Sequence, residues 1–349
     1  MITVFSHEHE QHCGLLESNG DSYRPSPECP ERANNIIEAI AAAGLGGMRA
    51  PVSFDTRKLM TVHSPDYVEF LQAAWSSWQA AGMQAGNARA QTFVGGELRA
   101  AETRAIQGKL GRYAFDDSAP FVAGSWQAIR RSAEIALTGA DIVKSMRVHA
   151  FAACRPPGHH ASRDCAGGYC YLNNSAIAAQ AMLDAGLDRI AVLDVDYHHG
   201  NGTQSIFYPR NDVLTLSLHA DPADEYPYFL GYSDEPGEGK GHGFNFNYPL
   251  PLGTKWPRYR TALDDALGHI RGFAPKALVV SLGLDTFVND PTTRFGIDTD
   301  DYRALGSAIA TLDLPVLTVL EGGYALDAIG RNTVAFLRGI ESLPTGLQK

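Results

Sequence analysis

The sequence of 349 residues has no hydrophobic run of membrane-spanning length, which would require about 18 consecutive apolar residues. Its N-terminal segment, MITVFSHEHEQH, also lacks the basic and then apolar stretches of a secretory signal. Neither an internal repeat nor a low-complexity linker divides the chain. We therefore expect a cytoplasmic protein with no membrane partner, folded as a single domain over residues 1–349.

Cysteine and positive charge are both scarce. The five cysteines are an odd number in a long chain, which argues against a disulfide framework. Lys and Arg number 29 against 39 Asp and Glu, so the formal net charge is −10. Because nucleic-acid binding draws much of its affinity from phosphate neutralisation, we expect no nucleic-acid partner. The acidic balance fits a cationic substrate weakly.

Short apolar runs that end in turn residues alternate with segments of helical periodicity. This alternation predicts an α/β fold with a central, mostly parallel sheet and helices on both faces. Strands are predicted at 2–6, 148–154, 213–218, 244–250, 276–282 and 314–320, and another begins at 190. Helices are predicted at 30–43, 66–81, 124–146, 171–185, 256–273, 300–311 and 325–338, the last stopped by Gly339.

Residues 80–120 keep neither pattern, with scattered glycines and little sustained amphipathicity. A connection this long inside a compact domain is usually functional or disordered. We interpret it as an insertion that either covers an active site or forms a dimer interface. A surface loop is the alternative.

The most informative stretch is residues 190–203, IAVLDVDYHHGNGT. An apolar run leads into Asp194, Asp196 and His198, which are two apart and can project to one side of an extended segment. Ligands of open α/β sheets bind at the C-terminal ends of strands. Carboxylates and an imidazole converging there are the start of a metal site, whereas a solvated turn is the alternative.

Three other predicted strands end in polar residues: RPPGHH at 155–160, SLGLDT at 281–286 and EGGY at 321–324. The second of these supplies Asp285, which with Asp196 and His198 makes a three-ligand set with an open position. That is the pattern of catalytic zinc.

The first and third strand ends supply catalytic groups. His160 or His159 could take a proton from water at such a metal, and Tyr324 could donate to a developing oxyanion. Together these residues predict metal-assisted hydrolysis of an amide.

Five motifs, RPPGHHA, GGYCYLNN, LDVDYHHGNGT, LGLDTF and EGGY, resemble in order and spacing the zinc-dependent histone deacetylase superfamily of the arginase-like fold. Within it, FYPR, ADPADEYPYFLGY and SLGLDTF are most similar to bacterial acetylpolyamine amidohydrolases. The resemblance covers nearly the whole chain.

The resemblance implies that Asp196, His198 and Asp285 hold the catalytic metal. Zn²⁺ is the expected ion, and Fe²⁺ is the alternative. It also implies a structural K⁺ held largely by backbone oxygens near Asp194, Asp196 and His198, with Ser217 and Leu218.

For catalysis, the resemblance implies His160 as general base and acid and His159 as its electrostatic neighbour, oriented by Asp194. Tyr324 is the phenol that bonds the scissile carbonyl. Asn201 stands where several members carry aspartate, and this neutral partner is expected to leave the pKa of His160 low.

The resemblance places Gly168, Tyr169 and Phe229 along a narrow substrate tunnel, and Arg32 near an internal channel for acetate. Carboxylates at the tunnel mouth would bind a cationic amine, and Glu17, Asp116 and Asp117 are the candidates. Residues 115–120 depart from the polyamine enzymes, which carry a glutamate close to the position of Ser118.

The resemblance also implies a small acetylated amine as substrate and a homodimer as the assembly. A deacylase acting on acetyl-lysine in proteins is the main alternative. A sensor without catalysis and a hydrolase with two manganese ions are less favoured, because the catalytic residues are all present and the motifs match one metal.

Overall fold

The computed structural model describes residues 1–83, 86–95 and 101–342. Within these ranges the strands are β1 (Ile2–Val4), β2 (Leu16–Asn19), β3 (Ser22–Pro25), β4 (Gly47–Arg49), β5 (Ala150–Ala152), β6 (Ile190–Asp194), β7 (Val213–Ala220), β8 (Asn245–Leu250), β9 (Ala277–Leu282) and β10 (Val316–Leu320). The α-helices are α1 (Pro30–Ala42), α2 (Pro65–Ala80), α3 (Ile106–Arg112), α4 (Ser125–Met146), α5 (Asn174–Asp184), α6 (Asn201–Phe207), α7 (Trp256–Phe273), α8 (Thr299–Ala310) and α9 (Ile329–Ile340).

Eight of the described strands form one parallel sheet in the order β4-β1-β5-β10-β9-β6-β7-β8. The order places β5, β10, β9 and β6 side by side, so the four strand ends with polar residues are neighbours. The register pairs Asp194 with Ser281 and Leu320 with Leu282. The sheet thus gathers the predicted functional residues along one edge.

Both faces of the sheet are covered, because alternate strand residues enter two different hydrophobic clusters. In β9, Ala277 and Val279 pack in the cluster formed with α2, α3, α4 and α5, and Leu278 and Val280 pack in the cluster formed with α1, α7, α8 and α9. Strands buried on both faces have continuous apolar runs, as the sequence does here. The prediction of a mostly parallel α/β sheet with helices on both faces is confirmed.

The predicted end of the last helix is wrong. Helix α9 runs through Gly339 to Ile340. A Cβ atom at Gly339 would lie 2.3 Å from the carbonyl oxygen of Arg303, and one at Gly306 would lie 2.2 Å from that of Phe336. The two glycines therefore permit close packing of α8 against α9, which sequence periodicity alone does not reveal.

The described part of residues 80–120 contributes side chains to the hydrophobic core, which a surface loop would not do. Ala88 and Phe121 exchange backbone hydrogen bonds of 2.9 and 2.8 Å, and α3 buries Ile106 and Leu110. Near the end of this segment, Asp116, Asp117 and Ser118 line the cavity at the strand ends. Across the described ranges, no helix combines the length and the apolar character that crossing a membrane would require.

Candidate active site

Asp196, His198 and Asp285 converge at the C-terminal ends of β6 and β9. One potential ligand atom from each lies within 4.8 Å of the other two. His198 Nδ1 is 3.3 Å from Asp196 Oδ1 and 3.2 Å from Asp285 Oδ2. Both carboxylates are fully buried. Two carboxylates and an imidazole are suitable donors for Zn²⁺ or Fe²⁺.

The electrostatics of these three side chains favour a cation. Burial lowers the pKa of His198, but its hydrogen bonds with Asp196 and Asp285 prevail and raise the pKa to about 10. Burial and the charge of Asp196 raise the pKa of Asp285. A buried pair of carboxylates is costly unless a positive charge compensates it, so the donor set fits a divalent ion.

Backbone amides orient the same carboxylates. Asp196 accepts hydrogen bonds from the amide of His198 at 2.9 Å and from that of Gly322 at 2.9 Å. Asp285 accepts one from the amide of Tyr197 at 3.0 Å. A Cβ atom at Gly322 would lie 2.4 Å from Asp285 Oδ2, so this turn requires glycine.

His159 and His160 lie with ring centroids 4.0 Å apart, beside the three possible ligands. His159 Nδ1 is 2.9 Å from Asp194 Oδ2, and His160 Nδ1 is 2.6 Å from Asn201 Oδ1. Because the amide oxygen of Asn201 can only accept, Nδ1 of His160 carries the proton. The neutral ring therefore keeps Nε2 available as a base.

The two imidazoles have pKa values displaced in opposite directions. Burial lowers the pKa of His159, but Asp196 and Asp194 prevail and raise it to about 10. Burial and the neighbouring His159 lower the pKa of His160 well below its ordinary value. Burial is the largest cause of the low pKa of His160, and the hydrogen bond with Asn201 opposes it, so the predicted effect of the neutral partner stays a prediction.

Tyr324 enters the site from the loop after β10. Gly323 before it has φ +115°, and its carbonyl accepts a 2.5 Å hydrogen bond from Nε of Arg32. The Arg32 guanidinium carbon lies 4.8 Å from the centroid of the Tyr324 ring. Burial raises the pKa of Tyr324 well above its ordinary value, so the phenol stays a hydrogen-bond donor.

These groups line a cavity of about 280 Å³. Its wall includes His159, His160, Asp196, His198, Tyr324, Gly168, Tyr169, Tyr226, Asp116, Asp117, Ser118 and Thr292. Tyr226 packs edge to face on His160, with ring centroids 5.1 Å apart. Asp196 and His198 therefore share one cavity with His159, His160 and Tyr324, and part of its wall is aromatic.

Two predicted substrate residues lie elsewhere. Phe229 is 86% exposed and does not line the cavity, so its predicted place in the tunnel is wrong. Tyr226 lines the cavity instead, because the loop ADEYPYFLGY directs Tyr226 inward and Phe229 outward. The spacing of the aromatic residues in the sequence does not show which of them faces the cavity. Glu17 lies behind the wall, where it accepts a 2.6 Å hydrogen bond from the Tyr169 hydroxyl and pairs with Arg24.

Asp116 and Asp117 have different roles at the cavity. Asp116 accepts hydrogen bonds from the Tyr226 hydroxyl at 2.6 Å and from the amide of Gly168 at 3.0 Å. Asp117 accepts a hydrogen bond from the hydroxyl of Ser18 and lies 3.4 Å from Arg89. Asp116 thus fixes the aromatic wall, and Asp117, whose side chain is 40% exposed, keeps a charge at the mouth.

Sequence reasoning also missed Glu321 and Thr292. Glu321 is fully buried and accepts hydrogen bonds from the amides of Gly158 and His159 at 2.7 and 3.0 Å. Its place at a strand end, before the glycine pair, was the available signal. Thr292 belongs to the connection between β9 and α8, where no sequence pattern indicates proximity to the cavity.

A parallel α/β sheet with a buried, metal-competent carboxylate and imidazole cluster beside a histidine pair defines a class of metal-dependent hydrolases. Comparison with known families is more specific. The histone deacetylase domain model matches residues 26–340, and the chain belongs to this family.

Known relatives match nearly the whole chain. Acetylpolyamine amidohydrolase 1 of Pseudomonas aeruginosa is 50% identical over 343 residues, covering 98% of this chain and 99% of the relative. The acetylpolyamine amidohydrolase of Mycoplana ramosa is 42% identical over 340 residues, covering 97% and 99%. The crystal structure of an acetylpolyamine aminohydrolase from Burkholderia pseudomallei superposes with a TM-score of 0.93 at 39% identity, covering 98% and 99%. The predicted resemblance to the superfamily and to these enzymes is confirmed.

Proposed function

We propose that the chain is a metal-dependent amidohydrolase that removes acetyl groups from small cationic amines such as acetylpolyamines. The observation that carries this proposal is the convergence of Asp285 with Asp196 and His198, two residues that line the same cavity as His160 and Tyr324. The names of the relatives, which are acetylpolyamine amidohydrolases, support the same substrate class.

Asp196, His198 and Asp285 would hold the ion, with Zn²⁺ expected and Fe²⁺ the alternative. When bound, the ion supplies a Lewis acid that polarises the amide carbonyl and lowers the pKa of water. A structural K⁺ is proposed beside Asp194, as the family resemblance implies, and Asp194 and Ser217 both line a second, smaller cavity there. The homodimer and the cytoplasmic location stay predictions.

The proposed reaction uses two proton-handling groups on this cavity. His160 takes a proton from the attacking water at Nε2, while the Tyr324 hydroxyl donates a hydrogen bond to the carbonyl oxygen as it gains negative charge. The His160 imidazolium so formed then protonates the leaving nitrogen as the carbon–nitrogen bond breaks. The products are acetate and a free amine.

Selectivity for a cationic amine is expected from the cavity mouth. Tyr169 and Tyr226 present aromatic faces that stabilise a cation, and Asp117 supplies the exposed carboxylate. Asp116 has both oxygens engaged with other protein donors, so Asp117 is the better candidate for direct contact.

We expect kcat/KM for acetylputrescine, acetylcadaverine or acetylspermidine to exceed that for an acetyl-lysine peptide by at least about tenfold. The reason is that a narrow aromatic cavity accepts an extended chain more readily than a peptide backbone. Steady-state rates of acetate release with each substrate measure this. Faster turnover of the peptide would favour the protein deacylase alternative.

N-butylacetamide, an uncharged analogue of acetylputrescine, separates the contribution of substrate charge to binding from that of substrate shape. We expect Asp117→Asn to raise KM for acetylputrescine several-fold and to leave N-butylacetamide hydrolysis unchanged. Asp327→Asn is the matched control, because Asp327 lies outside the cavity lining. Equal effects on both substrates would show that Asp117 does not recognise the cation.

A further inference from the structure

Tyr324 lies in a segment with no regular secondary structure of its own. It follows the Gly322-Gly323 pair after β10 and precedes α9, which begins at Ile329. Glycine pairs leave the backbone free to adopt many conformations. The position of the Tyr324 hydroxyl relative to the cavity therefore depends on contacts that tether this segment from outside.

One such tether is the carboxylate of Asp290, which is 6% exposed. Its Oδ2 accepts hydrogen bonds from the amides of Tyr324 and Ala325, at 2.5 and 2.9 Å. Its Oδ1 accepts from the amide and the hydroxyl of Thr292, at 3.0 and 2.8 Å. A carboxylate that accepts four hydrogen bonds is a strong anchor, because hydrogen bonds to a charged acceptor are stronger than those to a neutral one.

Asp290 also belongs to the connection that carries Asp285, the candidate metal ligand five residues earlier. The backbone amide of Asp290 donates a 2.8 Å hydrogen bond to the carbonyl of Phe287, which fixes Asp290 within that connection. On the other side, Arg32 holds the carbonyl of Gly323. The Tyr324 segment is thus fixed between Arg32 and the loop that leaves the metal-binding edge.

We propose that Asp290 is a positioning residue for the Tyr324 hydroxyl. It fixes the Tyr324 backbone relative to Asp285, so that the phenol meets the carbonyl oxygen of a substrate in the cavity. The inference rests on the proposed amide hydrolysis and assigns to Asp290 no contact with the substrate. Its proposed effect on catalysis passes through the backbone of the Tyr324 segment.

In Asp290→Asn the side chain keeps only one acceptor oxygen. Its NH₂ group then faces the donors of either Thr292 or the Tyr324 segment, and two donors cannot form a hydrogen bond with each other. We expect kcat for acetylputrescine to fall about 10- to 100-fold, the range expected for a displacement of about 1 Å at a catalytic group. KM should change less than about threefold, and the metal content should equal that of the wild type. Asp290→Glu should recover part of the lost kcat.

A double-mutant cycle distinguishes positioning from general structural support. In a Tyr324→Phe background, Asp290→Asn should lower kcat by less than about threefold more, because the hydroxyl that it positions is absent. Losses that multiply in the double variant, or full activity of a folded Asp290→Asn, would overturn the inference. If Asp290→Asn does not fold, Thr292→Val makes the same test, with a smaller loss of kcat that disappears in the Tyr324→Phe background.

Asp298→Asn is the matched control. The Asp298 carboxylate caps α8 by accepting amide hydrogen bonds from Asp300 and Asp301, at 2.9 and 3.0 Å, and it lies outside the cavity lining. It should lower Tm and leave kcat unchanged.

A crystal structure of Asp290→Asn decides the inference independently of activity. We expect the Tyr324 hydroxyl to be displaced or disordered, and an unmoved, ordered Tyr324 would contradict the proposal. If the wild-type protein were inactive on every acetylated amine, the proposed function would be refuted. The position of Tyr324 in the Asp290→Asn crystal structure would still test the inference about Asp290.

Discussion

Substituting Tyr324 with phenylalanine is expected to lower kcat about 100- to 1000-fold, with KM changed less than about threefold. Removal of one donor from an oxyanion site has this size of effect, because the hydrogen bond strengthens as the carbonyl oxygen gains charge. The ring contacts with Arg32 and Tyr169 remain, so the fold and the cavity wall should be preserved. Initial rates with acetylputrescine across a range of concentrations separate kcat from KM.

The control for this prediction is Tyr248→Phe. Its hydroxyl donates to Asp265 at 2.8 Å on the exposed side of β8, so the same atom is removed far from the cavity. We expect wild-type kcat in this control. A Tyr324→Phe enzyme with kcat within about threefold of the wild type would exclude the phenol from transition-state stabilisation.

His160→Ala is expected to lower kcat about 1000-fold or more. General acid and base catalysis by a positioned side chain contributes about 10²- to 10⁴-fold, and His160 is assigned both proton transfers. Because burial and His159 hold the pKa of His160 well below its ordinary value, the wild-type base is neutral throughout the neutral pH range. Single-turnover rates with acetylputrescine measure the chemical step directly.

His160 is not a candidate metal ligand, so His160→Ala should retain wild-type metal content. His269→Ala serves as the control, since the His269 ring stacks on Phe246 at 3.8 Å, away from the cavity. Retention of more than about a tenth of wild-type kcat in a folded, metal-loaded His160→Ala enzyme would assign the base to another group. His159 would then be tested next, although its raised pKa favours the charged form, which cannot accept a proton.

The sequence predicted that Asp196, His198 and Asp285 lie together, because each of them follows a recognisable strand. Asp194 and Asp196 end one apolar run and Asp285 ends another, and parallel strands bring their C-terminal ends to one edge. The alternation of strands with helices predicted the fold class for the same reason. These inferences need only local periodicity and a general rule about sheets.

The cavity wall could not be predicted in the same way. Tyr226 and Phe229 lie in one aromatic run, and only the path of the loop decides that Tyr226 packs on His160 while Phe229 faces solvent. Asp290 and Thr292 belong to an irregular connection whose fold depends on hydrogen bonds with the Tyr324 segment. Contacts between irregular segments have no periodicity from which to predict them.

Anomalous diffraction from crystals of the purified protein, together with its metal content, tests the central claim most directly. We expect one transition-metal ion per chain, bound by Asp196, His198 and Asp285, with the His160 ring and the Tyr324 hydroxyl facing its open side. An Asp285→Asn variant should lose most of this ion. A protein that binds no transition metal at these three residues, or that places its metal elsewhere in the chain, would contradict the account.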